Sequence, residues 1–313
     1  MTRTTGAKSS RRRTRGKSRK PFPVVWIEYA LFRIVVAAFR RASDSRLDRW
    51  SERVARVAPR LICSRHRLAI ANLRRVFPEM SAQEADRIAR ACWKHYAHSV
   101  FQYLHTIDEP IDDIAGRFDL DPRYEEVEGV LRNGKGCIIV TAHFGSWEFA
   151  ISLLTRIEAD ISVVARRLDN PLLDRRLNEA RLRSGVRILD RRRAARAIYR
   201  TLEKGGLVGM VADQAVKPRE GLLVPFLGRP AWTTNAPARL ALRFGAPIYC
   251  IFSIPEGDRF RLVIEPAIRV EDLPPEERTE GAITERMNDL LSERIRRQPE
   301  LWLWMHNRWK GAP

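Results

Sequence analysis

The chain has 313 residues, of which 44% are apolar and 30% are charged, and its formal net charge at neutral pH is +19. This length allows one large α/β domain or two small ones, and the apolar content supports a substantial core. The four cysteines lie far apart in apolar contexts, which fits reduced buried thiols and excludes a disulfide framework and a cysteine-based zinc site.

The first 20 residues form a basic tail. They contain nine Lys and Arg residues, no acid and few apolar side chains, so we expect them to be disordered. Such a tail suits either nucleic acid or an anionic membrane surface. The segment that follows decides between these partners.

Residues 21–43 are predicted to form a membrane-anchor helix. The stretch 21–39 reads PFPVVWIEYALFRIVVAAF, apolar and rich in aromatics but interrupted by Glu28 and Arg33. At about 1.5 Å per residue it is marginal for a hydrocarbon core of about 30 Å, so it either makes a short span or lies in the interface. An amphipathic helix packed on the protein's own core is the alternative. Basic residues flank both ends, so the positive-inside rule gives no orientation.

Residues 44–110 are predicted to be helical. One helix ends at Pro78, and Ser81 with Glu84 forms a capping box that opens a second helix through about Leu104. Four histidines fall in or beside these helices, namely His66, His95, His98 and His105. Only two of them share a helix face, so we expect capping or exposed roles and no metal.

A short apolar run over residues 137–142 ends at a histidine. The run reads as a strand buried on both faces, followed by a helix from about Ser146, so His143 lies at the strand's carboxyl end, where open α/β sheets bind ligands. Gly145 permits a turn in which Glu148 accepts one ring N–H and strengthens the other ring nitrogen as a base. The plainer interpretation is a helix cap or a buried core histidine.

Strands and helices alternate after this point. Strands are predicted at 161–165, 186–189 and 207–212, and helices at 170–183 and 194–204. The alternation predicts an α/β fold with a mainly parallel central sheet flanked by helices, in which 44–110 form a helical N-terminal part and 111–313 the α/β core. Asp213 and Gln214 take the same strand-end position as His143.

The stretch 166–200 contains twelve basic residues against four acids. It is either a solvated helix face or an anion-binding surface beside the site. Further on, strands at 248–254 and 260–264 are predicted to form a hairpin, and a helix at 279–297 precedes a tryptophan-rich ending.

Residues 141–148, TAHFGSWE, resemble the His-x4-Asp/Glu signature of glycerolipid acyltransferases, most closely the form in the bacterial lipid A biosynthesis acyltransferases that add lauroyl or myristoyl groups. Three further segments resemble the same family: residues 66–78, the phenylalanine, glycine, arginine and proline turn within 224–234, and the ending 301–310. The resemblance covers roughly residues 44–310.

The resemblance implies an acyltransferase domain over residues 44–313, in which His143 removes the proton from an acceptor hydroxyl and Glu148 orients the ring. Arg166 matches an arginine that the family carries after the strand predicted at 161–165. Together with main-chain N–H groups near Gly145, it is a candidate to stabilise negative charge on the substrate. Further candidates for substrate binding are Asp213, Gln214, Arg229 and Thr233, although helix capping alone explains Thr233. No cofactor and no metal are expected.

The implied donor is an acyl carrier protein thioester or acyl-CoA, and the implied acceptor is a glycolipid such as a lipid A precursor. The basic residues fit these substrates and an anionic membrane surface, and no nucleic acid is expected. The expected location is the cytoplasmic face of the inner membrane. An acyltransferase for a mannoside glycolipid or a lysophospholipid would keep the same motif. A membrane-tethered nucleic-acid-binding protein would explain the tail but leave His143 and Glu148 without a purpose.

Overall fold

The computed structural model describes residues 21–153, 156–165, 167–183, 185–190 and 194–313. The basic tail of residues 1–20 and Arg166 lie outside the described residues. The helices of the described part are α1 Phe22–Arg40, α2 Asp44–Leu61, α3 Cys63–Val76, α4 Ala82–Thr106, α5 Ile111–Ala115, α6 Tyr124–Arg132, α7 Ala150–Leu153, α8 Pro171–Leu182, α9 Ala195–Glu203, α10 Ala236–Phe244 and α11 Glu280–Arg297.

The strands are β1 Phe118–Asp119, β2 Cys137–Thr141, β3 Ile161–Ala165, β4 Arg187–Asp190, β5 Leu207–Val211, β6 Leu222–Phe226, β7 Arg229–Thr233, β8 Ile248–Glu256 and β9 Arg259–Ile264. Seven of them form one sheet in the order β1-β9-β8-β2-β5-β3-β4, and β6 pairs with β7 in a separate hairpin. Every pair in the large sheet is parallel except β8 with β9. The predicted α/β fold with a mainly parallel sheet is confirmed.

Helices cover both faces of this sheet. Side chains of β2, β5 and β8 pack on one face against α3, α4, α10 and α11, and on the other face against α6 and the chain around α7. The apolar run of β2 is buried on both faces because helices cover each side of the sheet where this central strand lies. The sequence predicted this burial from the run alone.

The helical N-terminal part is also present. α4 begins at the predicted capping box, where Ser81 Oγ accepts the backbone N–H of Glu84 at 3.1 Å, and α3 ends at Val76, just before Pro78. α1 is long and apolar enough to cross a membrane by length and composition, yet Val25 and Val36 are buried against the protein. Three of the predicted buried cysteines are buried, whereas Cys63 is exposed.

One helix was expected in the wrong place. The structure has a turn at residues 146–149, and α7 begins only at Ala150. The cause is Gly145, which has a φ of +58° and whose backbone bridges to β8 at Ser253, so the chain stays extended beyond the end of β2. Glu148 therefore lies in a turn and not in the first turns of a helix.

Candidate active site

The candidate site lies where two adjacent parallel strands end. β2 and β5 pair in register from Cys137 opposite Leu207 to Thr141 opposite Val211. Two residues beyond each strand, the chain places His143 and Asp213 at the same edge of the sheet. The topology thus brings together two side chains that are 70 residues apart in sequence.

Asp213 makes three hydrogen bonds, two of them to the histidine. Its Oδ1 lies 2.8 Å from His143 Nδ1, its Oδ2 accepts the backbone N–H of His143 at 2.9 Å, and the same Oδ2 accepts the indole N–H of Trp302 at 2.8 Å. The carboxylate is 2% exposed, so these donors replace its water. Because a carboxylate only accepts, Nδ1 carries the proton and Nε2 is free to accept another.

The other side of the ring is more open. The His143 side chain is 23% exposed, and the side-chain nitrogen of Gln214 lies 3.3 Å from His143 Nε2. The indole of Trp147 lies 5.2 Å from the imidazole between ring centres and is stacked in turn against Tyr96 of α4. The Nε2 atom therefore faces a partly open space walled by aromatic and amide groups.

The turn that carries the histidine is clamped from two sides. The Gly145 N–H donates to the Leu301 carbonyl at 3.0 Å, the Ser146 N–H donates to the Ser253 carbonyl at 2.8 Å, and the Leu303 N–H donates to the His143 carbonyl at 3.2 Å. A Cβ on Gly145 would lie 2.1 Å from the Ser253 carbonyl oxygen, so only glycine fits there. The C-terminal segment thereby fixes the backbone on which His143 sits.

The expected contact between Glu148 and His143 is absent from this arrangement. Arg181 of α8 binds Glu148 instead, with Nη2 2.8 Å from Oε1 and 2.9 Å from Oε2. Because the helix begins later than predicted, the carboxylate points to α8, and the ring takes Asp213 as its partner. The negative charge of Glu148 still acts on His143 and helps to raise its pKa.

The two partners shift each other's pKa in opposite directions. Burial alone would lower the pKa of His143, but the charge and hydrogen bond of Asp213 outweigh it and raise that pKa above its usual value. Burial alone would raise the pKa of Asp213, but the charge of His143 and hydrogen bonds from His143 and Trp302 hold it at about 2. The pair is therefore built to carry one negative charge beside a ring that gains a proton readily.

Comparison with known proteins indicates the same family as the sequence motifs. A sequence model of the family described as "Bacterial lipid A biosynthesis acyltransferase" matches residues 14–311. The chain belongs to this family.

The curated relatives carry matching names. A lipid A biosynthesis lauroyltransferase of Escherichia coli K12 is 28% identical over 266 residues, which is 83% of this chain and 84% of the relative. A lipid A biosynthesis myristoyltransferase of the same organism is 24% identical over 81% of this chain and 77% of its own length. A phosphatidylinositol mannoside acyltransferase of Mycolicibacterium smegmatis is 25% identical over 76% of this chain and 77% of its own length. The protein is an acyltransferase of the lipid A biosynthesis type that acts on a glycolipid.

Several groups that the sequence suggested for substrate binding make other contacts in this acyltransferase. The main-chain N–H groups of Gly145 and Ser146 donate to backbone carbonyls, so these two of the expected N–H groups near Gly145 are not available to an oxyanion. Arg229 is exposed in the β6–β7 hairpin, with its Nη2 3.3 Å from the Arg75 carbonyl. Arg166 lies outside the described residues, and its role stays a prediction.

Thr233 is fully buried. Its hydroxyl donates to the Ala231 carbonyl at 3.1 Å and accepts from Arg308 Nη2 at 2.5 Å and from Asn288 Nδ2 at 3.2 Å. The neighbouring Thr234 precedes Asn235, the N-cap residue of α10, and its Oγ1 accepts the backbone N–H of Ala236 at 3.4 Å. The hydroxyl of Thr233 therefore serves the packing of the C-terminal segment.

Sequence reasoning missed two residues that contact the candidate acid groups. Arg181 belongs to the basic stretch that was read as either a solvated face or an anion site, and only its pairing with Glu148 distinguishes it from its neighbours. Trp302 belongs to the tryptophan-rich ending, whose three tryptophans look alike in sequence. Among the described residues, no group of three or more His, Cys, Asp or Glu side chains is arranged to hold a metal ion.

Proposed function

We propose that the enzyme moves a fatty acyl group from the thioester of acyl carrier protein or coenzyme A to a hydroxyl of a lipid A precursor. In this proposal His143 is the general base, and Asp213 is the carboxylate that orients it. The observation that carries this proposal is the bond between His143 Nδ1 and the buried Asp213, which leaves Nε2 as a proton acceptor at a partly open surface. Membership of the family supplies the reaction class.

The chemistry needs one proton relay and no acyl-enzyme. Nε2 of His143 takes the proton of the acceptor hydroxyl as its oxygen attacks the thioester carbonyl carbon. The negative charge of Asp213 stabilises the imidazolium that forms. When the carbon–sulfur bond breaks, the departing thiolate takes the proton back, and the ester and the free thiol leave the enzyme.

Two further groups are placed to serve this step. The side-chain amide nitrogen of Gln214 is 3.3 Å from Nε2, so it lies close to the reacting atoms and can donate to a developing oxyanion. The charge of Glu148 helps to raise the pKa of His143, and the ion pair of Glu148 with Arg181 joins the catalytic turn to α8. We propose both as site residues, and we keep Arg166 as a candidate because in the sequence it directly follows Ala165, the last residue of β3.

A lipid A precursor is the acceptor that the relatives favour, since the family and the E. coli enzymes are named for lipid A. A mannoside glycolipid is the second candidate, because the mycobacterial relatives carry the name phosphatidylinositol mannoside acyltransferase. We propose the cytoplasmic face of the inner membrane as the location.

Mass spectrometry tests the proposal. The purified full-length enzyme is supplied with an acyl carrier protein thioester or acyl-CoA and with a lipid A precursor or a phosphatidylinositol mannoside. We expect one added acyl ester on the lipid A precursor and free thiol in equal amount. Acylation of the mannoside alone would replace the acceptor, and the absence of transfer to either lipid by a folded enzyme would contradict the proposed function.

The base role predicts a pH dependence. Below its pKa His143 is protonated and cannot accept the hydroxyl proton, so kcat/KM should fall as the pH is lowered through that pKa. Because Asp213 raises the pKa of His143, the midpoint of this acid limb should lie above the usual 6.5. Rates between pH 5 and 9 measure it, and a midpoint at or below 6.5 would contradict a charged partner on Nδ1.

Trp302→Phe is expected to shift the acid limb of the same profile of kcat/KM against pH. The change removes the indole N–H from Asp213 Oδ2 and keeps an aromatic ring in the core. The carboxylate loses one donor and becomes a stronger acceptor for His143, so the pKa of the histidine should rise and the acid limb should shift to higher pH.

Trp304→Phe is the matched control. Trp304 is equally buried, its ring centre lies 4.7 Å from that of Trp302, and its indole N–H donates to the Pro299 carbonyl at 2.7 Å, away from the carboxylate. Both changes should lower the melting temperature, but only Trp302→Phe should shift the pH profile. The same shift in both proteins would mean that Trp302 acts through packing alone.

A further inference from the structure

Helix α1 has two apolar faces, and only one of them contacts other described residues of the protein. The docked face contains the buried Val25 and Val36, and the partly buried Phe32 and Phe39 pack with residues of α4 and α8. The opposite face carries a stripe that we define as Ile27, Leu31 and Ile34, which are 59%, 57% and 66% exposed. At 3.6 residues per turn the stripe lies within an arc of about 60°, roughly opposite the docked face.

The docked face is tied to the protein near its N-terminal end. The side chain of Asn170, which caps α8, is buried and donates to the Val25 carbonyl at 3.0 Å and to Glu28 Oε2 at 2.8 Å. Glu28, which interrupts the apolar segment, is thus held on the protein side of the helix and not toward the stripe.

The same face is tied at its C-terminal end and in the middle. His105 Nδ1 of α4 lies 2.8 Å from the Phe39 carbonyl, and Arg40 Nη1 lies 3.0 Å from Asp108 Oδ2. Between the two ends, Val36 forms a small core with Leu104 and Ile107, against which Leu177 of α8 also packs. α1 is therefore docked along almost its whole length.

A helix docked in this way cannot cross a bilayer by itself. Its 19 residues span about 28 Å, so a perpendicular orientation would put its ends on opposite sides of a hydrocarbon core of about 30 Å. α8, which binds α1 near Val25, would then have to enter the core with Asp174, Arg175 and Arg176, and charges at that depth are strongly disfavoured.

We propose that α1 is an in-plane membrane helix, whose stripe enters the acyl chains of one leaflet while the catalytic domain and residues 1–20 stay on the same side of the bilayer. An anionic leaflet complements the flanking charge, because the preceding tail has nine Lys and Arg residues and no acid, and Arg40 and Arg41 follow the stripe. Arg33 lies to one side of the stripe, from where its long stem reaches the headgroups.

The arrangement links the bilayer to the catalytic residues through one helix. α8 contacts α1 through its N-cap Asn170 and through Leu177, and it carries Arg181, the partner of Glu148, near its end. The inference rests on the proposed function only in that a lipid substrate is the reason for lying on a membrane. Its tests use no acyl transfer, and they apply equally to the inactive His143→Ala protein, so the two proposals fail separately.

Thiol labelling tests the topology in the full chain. Native Cys63 is exposed and reports the side of the catalytic domain, while a Ser10→Cys substitution reports the side of the tail. Sealed inverted inner-membrane vesicles are treated with a membrane-impermeant maleimide before and after detergent, and the two peptides are quantified by mass spectrometry. We expect both cysteines to react before detergent. Reaction of one before and the other only after detergent would show a spanning helix and overturn the proposal.

Flotation tests the stripe itself. Full-length protein is mixed with vesicles of phosphatidylethanolamine and phosphatidylglycerol, and Ile27→Ser/Ile34→Ser is compared with Val57→Ser/Leu61→Ser, two α2 side chains that are 47% and 78% exposed. Removing two membrane-buried aliphatic side chains should weaken partitioning by roughly 100-fold, and the control pair should change it little. Equal loss in both variants, or no loss in the stripe variant, would contradict insertion of this face.

Discussion

A His143→Ala enzyme is expected to turn over about 10²–10⁴-fold more slowly than the native enzyme, because this is the usual contribution of a positioned proton-transfer group. Nε2 acts only as the hydroxyl attacks, so the loss should appear in kcat and kcat/KM together and leave KM nearly unchanged. The measurement is the initial rate of acyl transfer from a thioester donor by purified protein, with the melting temperature recorded alongside.

His66 provides a matched control for this substitution. It is buried, and its Nε2 lies 2.7 Å from Asp86 Oδ1, so α3 and α4 contain a second histidine–carboxylate pair. Loss of that ring should lower the melting temperature and leave the turnover of the folded protein intact. If His143→Ala likewise lost activity only in proportion to stability, His143 would be a structural histidine.

The positions of His143 and Asp213, each just after the end of a strand, could be predicted from the sequence. The apolar run of β2 ends at a histidine, and that of β5 ends at Asp213, so both residues were placed at strand ends from local pattern alone. A parallel sheet then requires the two ends to lie at one edge. What the pattern could not supply was that β2 and β5 are neighbours, which makes the two residues partners.

The partner of Glu148 could not be predicted for the same reason. The spacing indicates that a turn allows Glu148 to reach the ring of His143, but it does not show whether the carboxylate binds that ring or Arg181. The choice depends on where α7 begins, and this is decided by backbone bonds from Gly145 to Leu301 and from Ser146 to Ser253, both far along the chain. Trp302 is likewise 89 residues from the carboxylate it binds.

Asp213→Asn is expected to lower turnover on the same scale as loss of His143, on the order of 10²–10⁴-fold. The amide keeps the shape of the side chain in a fully buried place but removes the charge that stabilises the imidazolium. It also allows Nε2 to carry the proton, and in that tautomer the histidine cannot accept one from the substrate. Rates are measured as for His143→Ala, with protein folding checked by melting temperature.

Glu148→Gln tests whether Asp213 or Glu148 is the carboxylate that orients the ring of His143. Glu148 is bound to Arg181 and makes no hydrogen bond to His143, so its main effect should come through the ion pair that joins the turn to α8, and its loss should lower turnover less than Asp213→Asn does. A double-mutant cycle decides, because residues that act as one unit are not additive. In a His143→Ala background, Asp213→Asn should reduce the residual rate almost no further, whereas Glu148→Gln should reduce it by nearly its full factor. The reverse pattern would restore Glu148 as the carboxylate that orients the ring and would leave Asp213 as a fold residue.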